Sequence, residues 1–190
     1  MNRAASVEGD VRIRLFCALT LPGDVLDSLV KWQAALPAGD FRLVPRENLH
    51  ITLAFLGSRP GSELDAIRGE LEAAAQASGG IVLHPRRYRE TRSVGMVVFD
   101  DEGNAGGALA ADLHERLQRL GVYEPERRPW LPHLTVVRFR RQPRLDPAPP
   151  ELGAVSPSEA AVYHSVLRPT GAQYVVVHAV GLNPLRNVGG

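Results

Sequence analysis

Apolar and polar residues alternate from 11 to 19, with Val11, Ile13, Leu15, Cys17 and Leu19 set against Arg12, Arg14, Phe16 and Ala18. That is the period of a strand with one mostly buried face. The period then lengthens: Pro22 and Asp24 precede the stripe Leu26, Leu29 and Val30, and Pro37 follows, which predicts a helix. Alternation returns at Leu49, Ile51, Leu53 and Phe55 and closes at Gly57. Ser62 and Asp65 with Leu64, Ile67 and Leu71 predict a capped amphipathic helix ending near Gly79. Strands are predicted over 81–84 and 94–99. Leu109, Leu113, Leu117 and Leu120 then mark a helix over 107–120, stopped by Gly121. A further apolar run comes after Pro132. Residues 142–150 hold four prolines and no apolar pattern, as a surface loop does, and closing strands are predicted over 160–167 and 174–180. Strands separated sometimes by helices and sometimes by turns indicate an α+β fold with largely antiparallel sheets.

The chain has 190 residues, 44% of them hydrophobic, enough for one substantial core. A single domain over 1–190 is the expectation. A formal charge of +1 gives no global field for coating nucleic acid or adsorbing to a membrane, so recognition must be local. Cys17 is the only cysteine, which excludes an intrachain disulfide and a cysteine-based metal site and suits a reducing compartment. Residues 1–10 lack the basic start and apolar stretch of a secretion signal, and no apolar run approaches membrane-spanning length. A cytoplasmic monomer without membrane contact is expected.

The two apolar runs at 49–56 and 134–137 carry the candidate chemistry. Each contains His-x-Thr, as His50-Ile51-Thr52-Leu53 and His133-Leu134-Thr135-Val136, where chance gives about 0.2 occurrences for six histidines and five threonines. Residues two apart on a strand share a face, so His50 and Thr52 point together, as do His133, Thr135 and Val137. By the same parity Phe55 falls on the core face, and Arg138 falls opposite His133 unless a bulge or strong twist returns it. Helix followed by a His-x-Thr strand occurs twice, which suggests a diverged internal duplication.

Two imidazoles can supply base and acid near neutrality, and two hydroxyls can hold the non-bridging oxygens of a tetrahedral anion. Phosphodiester cleavage fits this set best, a charged imidazole offsetting charge that develops on the phosphoryl group. Metal binding competes, although neither motif has an Asp, Glu or Cys at ligand spacing beside its histidine. The plainest alternative makes both histidines structural. Cys17 as a nucleophile is disfavoured by its place on the buried side of its strand. Arg138 reads equally well as a phosphate or RNA contact and as a solvated arginine continuing into Arg140 and Arg141. Tyr163 and His164 are further candidates for the cleft, whereas His84, His114 and His178 read as structural or surface residues.

The residues resemble the 2H phosphoesterases, in particular the RNA 2′,3′-cyclic phosphodiesterases also called 2′-5′ RNA ligases. Arg14-Leu15-Phe16 through Leu21-Pro22 is similar to the family's opening strand. Asn48 through Gly57 is similar to its first motif block, and Pro129-Trp130 through Thr135 with Arg138 to its second. Ser165-Val166-Leu167 and Gly171 to Tyr174 are similar to its closing hairpin; residues 59–104 match in pattern only. The resemblance implies a two-lobed fold of internally duplicated antiparallel sheets, with helices packed outside and a central cleft. It implies hydrolysis of RNA 2′,3′-cyclic phosphate ends, or of small cyclic nucleotides, to 2′-phosphomonoesters, with no metal and no cofactor. His50 would be the proton donor and His133 the proton acceptor, Thr52 and Thr135 would hold phosphate, and Arg138 would be a possible substrate contact. Reversible 2′-5′ ligation, with the two histidines exchanging roles, and an RNA-end binding protein without turnover are the other functions to weigh. The absence of a G-x-x-x-x-G-K-[ST] loop argues against an ATP-driven ligase.

Overall fold

The computed structural model describes residues 11–168 and 171–184. Strand β1 (Arg12–Thr20) leads into helix α1 (Gly23–Ala34), a short strand β2 (Arg42–Leu43) and the first motif strand β3 (Ile51–Pro60). Helix α2 (Leu64–Ala77), the hairpin β4 (Leu83–Glu90) and β5 (Val94–Asp101), and helix α3 (Ala105–Arg119) come next. The second motif strand β6 (His133–Arg138) and the hairpin β7 (Glu159–Arg168) and β8 (Gly171–Gly181) complete the order. A tight turn over Gly61–Glu63 precedes α2, so the residue that caps this helix is Glu63 rather than Ser62.

Every pairing is antiparallel, and the strands form one sheet in the order β4-β5-β6-β3-β1-β7-β8, with β2 alongside β6. The α+β expectation holds, with the anticipated sheets joined into one. The join is narrow: β3 and β6 meet through Ile51 opposite Leu134. Beyond that pair the free carbonyls of β3 are satisfied by side chains, Trp130 Nε1 donating to Thr52 O at 2.8 Å and His114 Nε2 to Leu53 O at 2.7 Å. Buried backbone acceptors need such partners where a ladder stops.

The helices bury their leucine stripes (Leu29 on α1, Ile67 and Leu71 on α2, Leu109, Leu113 and Leu117 on α3) against the sheet. Leu15, Cys17, Leu19, Ile51, Leu53, Leu134 and Val136 meet them from the strands. Phe16, Ala18, Ala161 and Tyr163 form a second, small cluster, with Tyr174 packed against it. Strand β1 is therefore buried on both faces over Leu15–Leu19, more than its one-sided alternation suggested. Strand β4 runs on to Glu90 although only 81–84 was expected. Its second half, Arg86-Arg87-Tyr88-Arg89-Glu90, is mostly charged because β4 is an edge strand, where charge deters pairing with another chain.

Three irregularities decide which side chains reach the uncovered face. On β3 the partners of β1 jump from Ala54 to Thr52 and from Gly57 to Phe55, so Leu53 and Leu56 are extra residues. Gly57 takes φ +70°, the left-handed region that glycine enters without strain. On β6 the partners of β5 jump from Val137 to Thr135, leaving Val136 extra. These are β-bulges, and each inverts the parity of the residues beyond it. The third bulge is held from behind. Gln33 of α1, only 3% exposed, donates through Nε2 to Val136 O at 2.7 Å and to Val44 O at 3.1 Å. Val44 N also donates to Val136 O, at 2.9 Å. No helix among the described residues is long and apolar enough to cross a membrane.

Candidate active site

The two motif strands are neighbours in the sheet, so their polar pairs open into one cavity of about 540 Å³. His50, Thr52, His133 and Thr135 line it together, as their strand spacing predicts, and Arg138 lines it as well. Phe55 lines it too and is 48% exposed, against the expectation that it belongs to the core. The cause is the bulge at Leu53: Leu53 and Ala54 are both buried, two in a row, which turns Phe55 onto the face of Thr52. The bulge at Val136 does the same on the second strand. It buries Val136 and Val137 together and delivers Arg138 to the cleft, so Val137 does not share the face of His133 as regular alternation would have it.

The imidazoles are held alike. His50 Nδ1 lies 2.8 Å from Asn48 O, and His133 Nδ1 lies 2.8 Å from Leu131 O. A carbonyl can only accept, so each Nδ1 carries a proton and donates it, and each Nε2 is left for the cleft. The two differ in setting. His50 sits on the small aromatic cluster, its ring 4.8 Å from Phe16, 5.3 Å from Tyr174 and 5.8 Å from Tyr163. Burial there drives its pKa from 6.5 to about 4; the Arg138 guanidinium and His133 push the same way, and only the bond to Asn48 O opposes them. In the free protein His50 is therefore neutral at pH 7.

The hydroxyls of Thr52 and Thr135 have no protein partner among the described residues and face the same cavity. They are free to donate to an anion. Arg14 stacks over Phe55, its guanidinium carbon 4.9 Å from the ring centroid, and Arg42 adds a further cation to the wall. Sequence reasoning singled out neither arginine, nor Phe16. One signal was present: Arg14, Phe16 and Ala18 share the face of β1 opposite Leu15 and Cys17, an arginine beside an aromatic on a strand next to the first motif. Tyr163 and His164 do not line the cavity. Tyr163 lies beneath it, stacked on Phe16 at 4.9 Å and 5°.

The remaining histidines have structural partners: His84 with Glu102, His114 with Leu53 O, and His178 with Glu72. Cys17 is fully buried and its thiol is pushed up to about 12 by that burial, which suits core and not chemistry. Among the described residues, no three His, Cys, Asp or Glu side chains gather as a metal site would require.

A Thermus thermophilus protein named RNA 2′,3′-cyclic phosphodiesterase is 32% identical over 180 residues, spanning 90% of each chain. One of the same name from Methanocaldococcus jannaschii is 24% identical over 173 residues, covering 87% of this chain and 98% of its own. A solved crystal structure of a Thermus thermophilus protein superposes with a TM-score of 0.79 at 26% identity, covering 90% of this chain and 99% of its own. The family model described as the 2′-5′ RNA ligase superfamily matches residues 23–169, the span that carries both His-x-Thr strands and both helices that precede them, and the chain belongs to that superfamily.

Proposed function

We propose that this protein hydrolyses 2′,3′-cyclic phosphodiester ends of RNA to 2′-phosphomonoesters, using His50 and His133 as a proton-transfer pair and no metal. One observation carries the reading: two imidazoles on adjacent strands, each locked through Nδ1 to a backbone carbonyl, offer two Nε2 atoms to one cleft. A binding site for phosphate alone has no need of two groups of this kind. The cyclic phosphate sits between the hydroxyls of Thr52 and Thr135, which donate to its non-bridging oxygens. His133 takes a proton from water as the water oxygen bonds to phosphorus, the bond to the 3′ oxygen breaks, and His50 gives that oxygen its proton. The 2′ ester bond remains. Arg138 offsets negative charge as it builds on the phosphoryl group.

The low proton affinity of His50 gives this scheme a definite order. In the free protein His50 is neutral, because burial strips water from its ring and the Arg138 guanidinium adds positive charge nearby. A cyclic phosphate brings one negative charge beside it, which favours the imidazolium. The substrate thereby charges the acid that will protonate its own leaving group. With a 5′-hydroxyl in place of water the same step joins two ends through a 2′-5′ phosphodiester; in the reverse step the roles exchange, the 3′ oxygen attacking phosphorus as the 5′ oxygen leaves with a proton.

The test is incubation of a short RNA ending in a 2′,3′-cyclic phosphate with the wild type, His50→Ala and His133→Ala, with EDTA present, and identification of the product. A 2′-phosphate formed by the wild type and slowed at least about a hundredfold in each variant is expected for paired acid and base catalysis. Loss of activity in EDTA revives the metal reading, and binding without cleavage makes the protein an RNA-end binder. A phosphodiester with a nitrophenolate leaving group separates the roles, because that group departs without a proton. His50→Ala should recover on it and His133→Ala should not.

A further inference from the structure

Asn48 lines the cavity beside His50, and the proposed reaction gives its side chain no part. It ends the tight turn Arg46–Asn48 that leads into β3. Its carbonyl does what that of Leu131 does for the second motif, accepting a hydrogen bond from the imidazole two residues on. The two side chains differ. Leu131 is apolar and 40% exposed, with no group to hold a neighbour by a hydrogen bond. Asn48 Nδ2 donates at 3.0 Å to Ala172 O on β8, 124 residues away in the chain.

That bond spans the sheet. Strands β1 and β7 lie between β3 and β8 in the order, so a side chain at the entry to β3 reaches β8 only because the sheet curls over the cleft. β8 is an edge strand with β7 on one side, and the bond pins it at its second residue. Ala172 precedes Tyr174 by two, both line the cavity, and the Tyr174 ring packs 5.3 Å from that of His50. Asn48 therefore fixes the His50 ring twice, once through the carbonyl that holds Nδ1 and once through the amide that holds the strand carrying Tyr174. The amide oxygen gains nothing from this arrangement. Asn48 Oδ1 is buried with no hydrogen-bond partner among the described residues. A buried acceptor left unpaired destabilises a fold, so packing alone does not favour asparagine here, and the N–H end is what the position uses.

Resting on the reading of His50 as the acid of a cyclic phosphodiesterase, we infer that Asn48 is a positioning residue for that acid. By tying β8 to the entry of β3, its side chain holds the His50 ring in the orientation that aims Nε2 at the departing 3′ oxygen. His133 needs no such clamp. The water it activates is small and adjusts to the ring, whereas the 3′ oxygen is fixed to the ribose and leaves along one line, so a misaimed acid loses much of its effect. The tie acts on leaving-group departure and not on the grip on phosphate.

Asn48→Ala and the similarly sized Asn48→Leu both remove the tie and keep the carbonyl. On a short RNA ending in a 2′,3′-cyclic phosphate, kcat should fall roughly ten- to a hundredfold in each variant, with KM changed less than about threefold. On a phosphodiester whose nitrophenolate departs without a proton, both variants should stay within about threefold of wild type. Thermal unfolding is followed alongside, and Asn48→Leu should keep a Tm close to wild type because it also removes the unpaired oxygen. Equal losses on the two substrates, or full activity of both variants on the cyclic end, overturn the positioning role. Recovery in Asn48→Leu alone overturns it too, since the side chain would then only fill space. His50→Ala in the same assays separates the two readings. If it fails to recover on the nitrophenolate ester, the acid assignment falls and the inference with it; if it recovers while the Asn48 variants lose both substrates alike, only the inference falls.

Discussion

Replacing His50 with asparagine should remove a specific part of the protein's sensitivity to acid. Asparagine can place an N–H near the position of Nδ1 and keep the bond to Asn48 O, but it cannot titrate. In the wild type His50 has a pKa of about 4 when folded and about 6.5 when unfolded. Between those values the unfolded chain binds a proton that the folded one does not, so stability rises with pH across that window and is lost as pH falls from 6.5 toward 4. The gap of about 2.5 units corresponds to about 3 kcal/mol at full extent. Carboxylates also contribute to acid lability, but equally in both proteins. Urea unfolding of wild type and His50→Asn at steps from pH 7 to pH 4 isolates the imidazole. The stability difference should shift by about 3 kcal/mol in favour of the variant as pH falls. Curves that stay parallel over the window would refute the burial argument, and with it the claim that substrate must recharge His50. The same logic applies to activity: His50 must carry its proton to act as the acid, so in the free protein it governs the alkaline limb of kcat/KM, and that limb should move to higher pH in Arg138→Ala, since the guanidinium helps hold His50 down.

Gln33→Met should cost about 1–3 kcal/mol in urea unfolding, because two buried carbonyls lose a donor. It should also lower kcat/KM less in an Arg138→Ala background than in wild type, since its effect on the cleft runs through the bulge at Val136; additive effects would refute that route. Gly95→Ala should destabilise strongly, seen as a drop in Tm, because an added Cβ would collide with Tyr88 Oη and lie 2.6 Å from Val137 Cγ2. An unchanged Tm would mean that Tyr88 moves aside freely. Cys17 should resist thiol reagents at pH 8 in the native protein and label at once in denaturant; native labelling would show that β1 opens.

The sequence was most legible where a period could run undisturbed. The leucines of α2 and α3, the two His-x-Thr pairs and the β7–β8 hairpin lie where alternation or helical spacing puts them. Phe55 and Arg138 show the limit. Each lies downstream of one extra residue in a strand, and a bulge leaves no period of its own, so parity counted along the chain assigns the wrong face to Phe55. Parity put Arg138 opposite His133 as well, and the bulge at Val136 returns it to the cleft. The second half of β4 was hidden because an edge strand needs charge more than alternation. Arg42 was invisible because a two-residue strand has no pattern; only its pairing with Arg138, 96 positions away in the chain, places it on the cleft wall.

The junction of β3 and β6 through Ile51 and Leu134 makes the reacting centre the weakest seam of the sheet. Main-chain bonding barely crosses it, yet both histidines sit against it. On the proposed mechanism, a phosphate gripped by Thr52 from one half and Thr135 from the other would be a rivet through that seam. Substrate affinity and the mechanical cohesion of the molecule are then drawn from the same few contacts, and product departure is also the moment at which the two halves are least tightly joined.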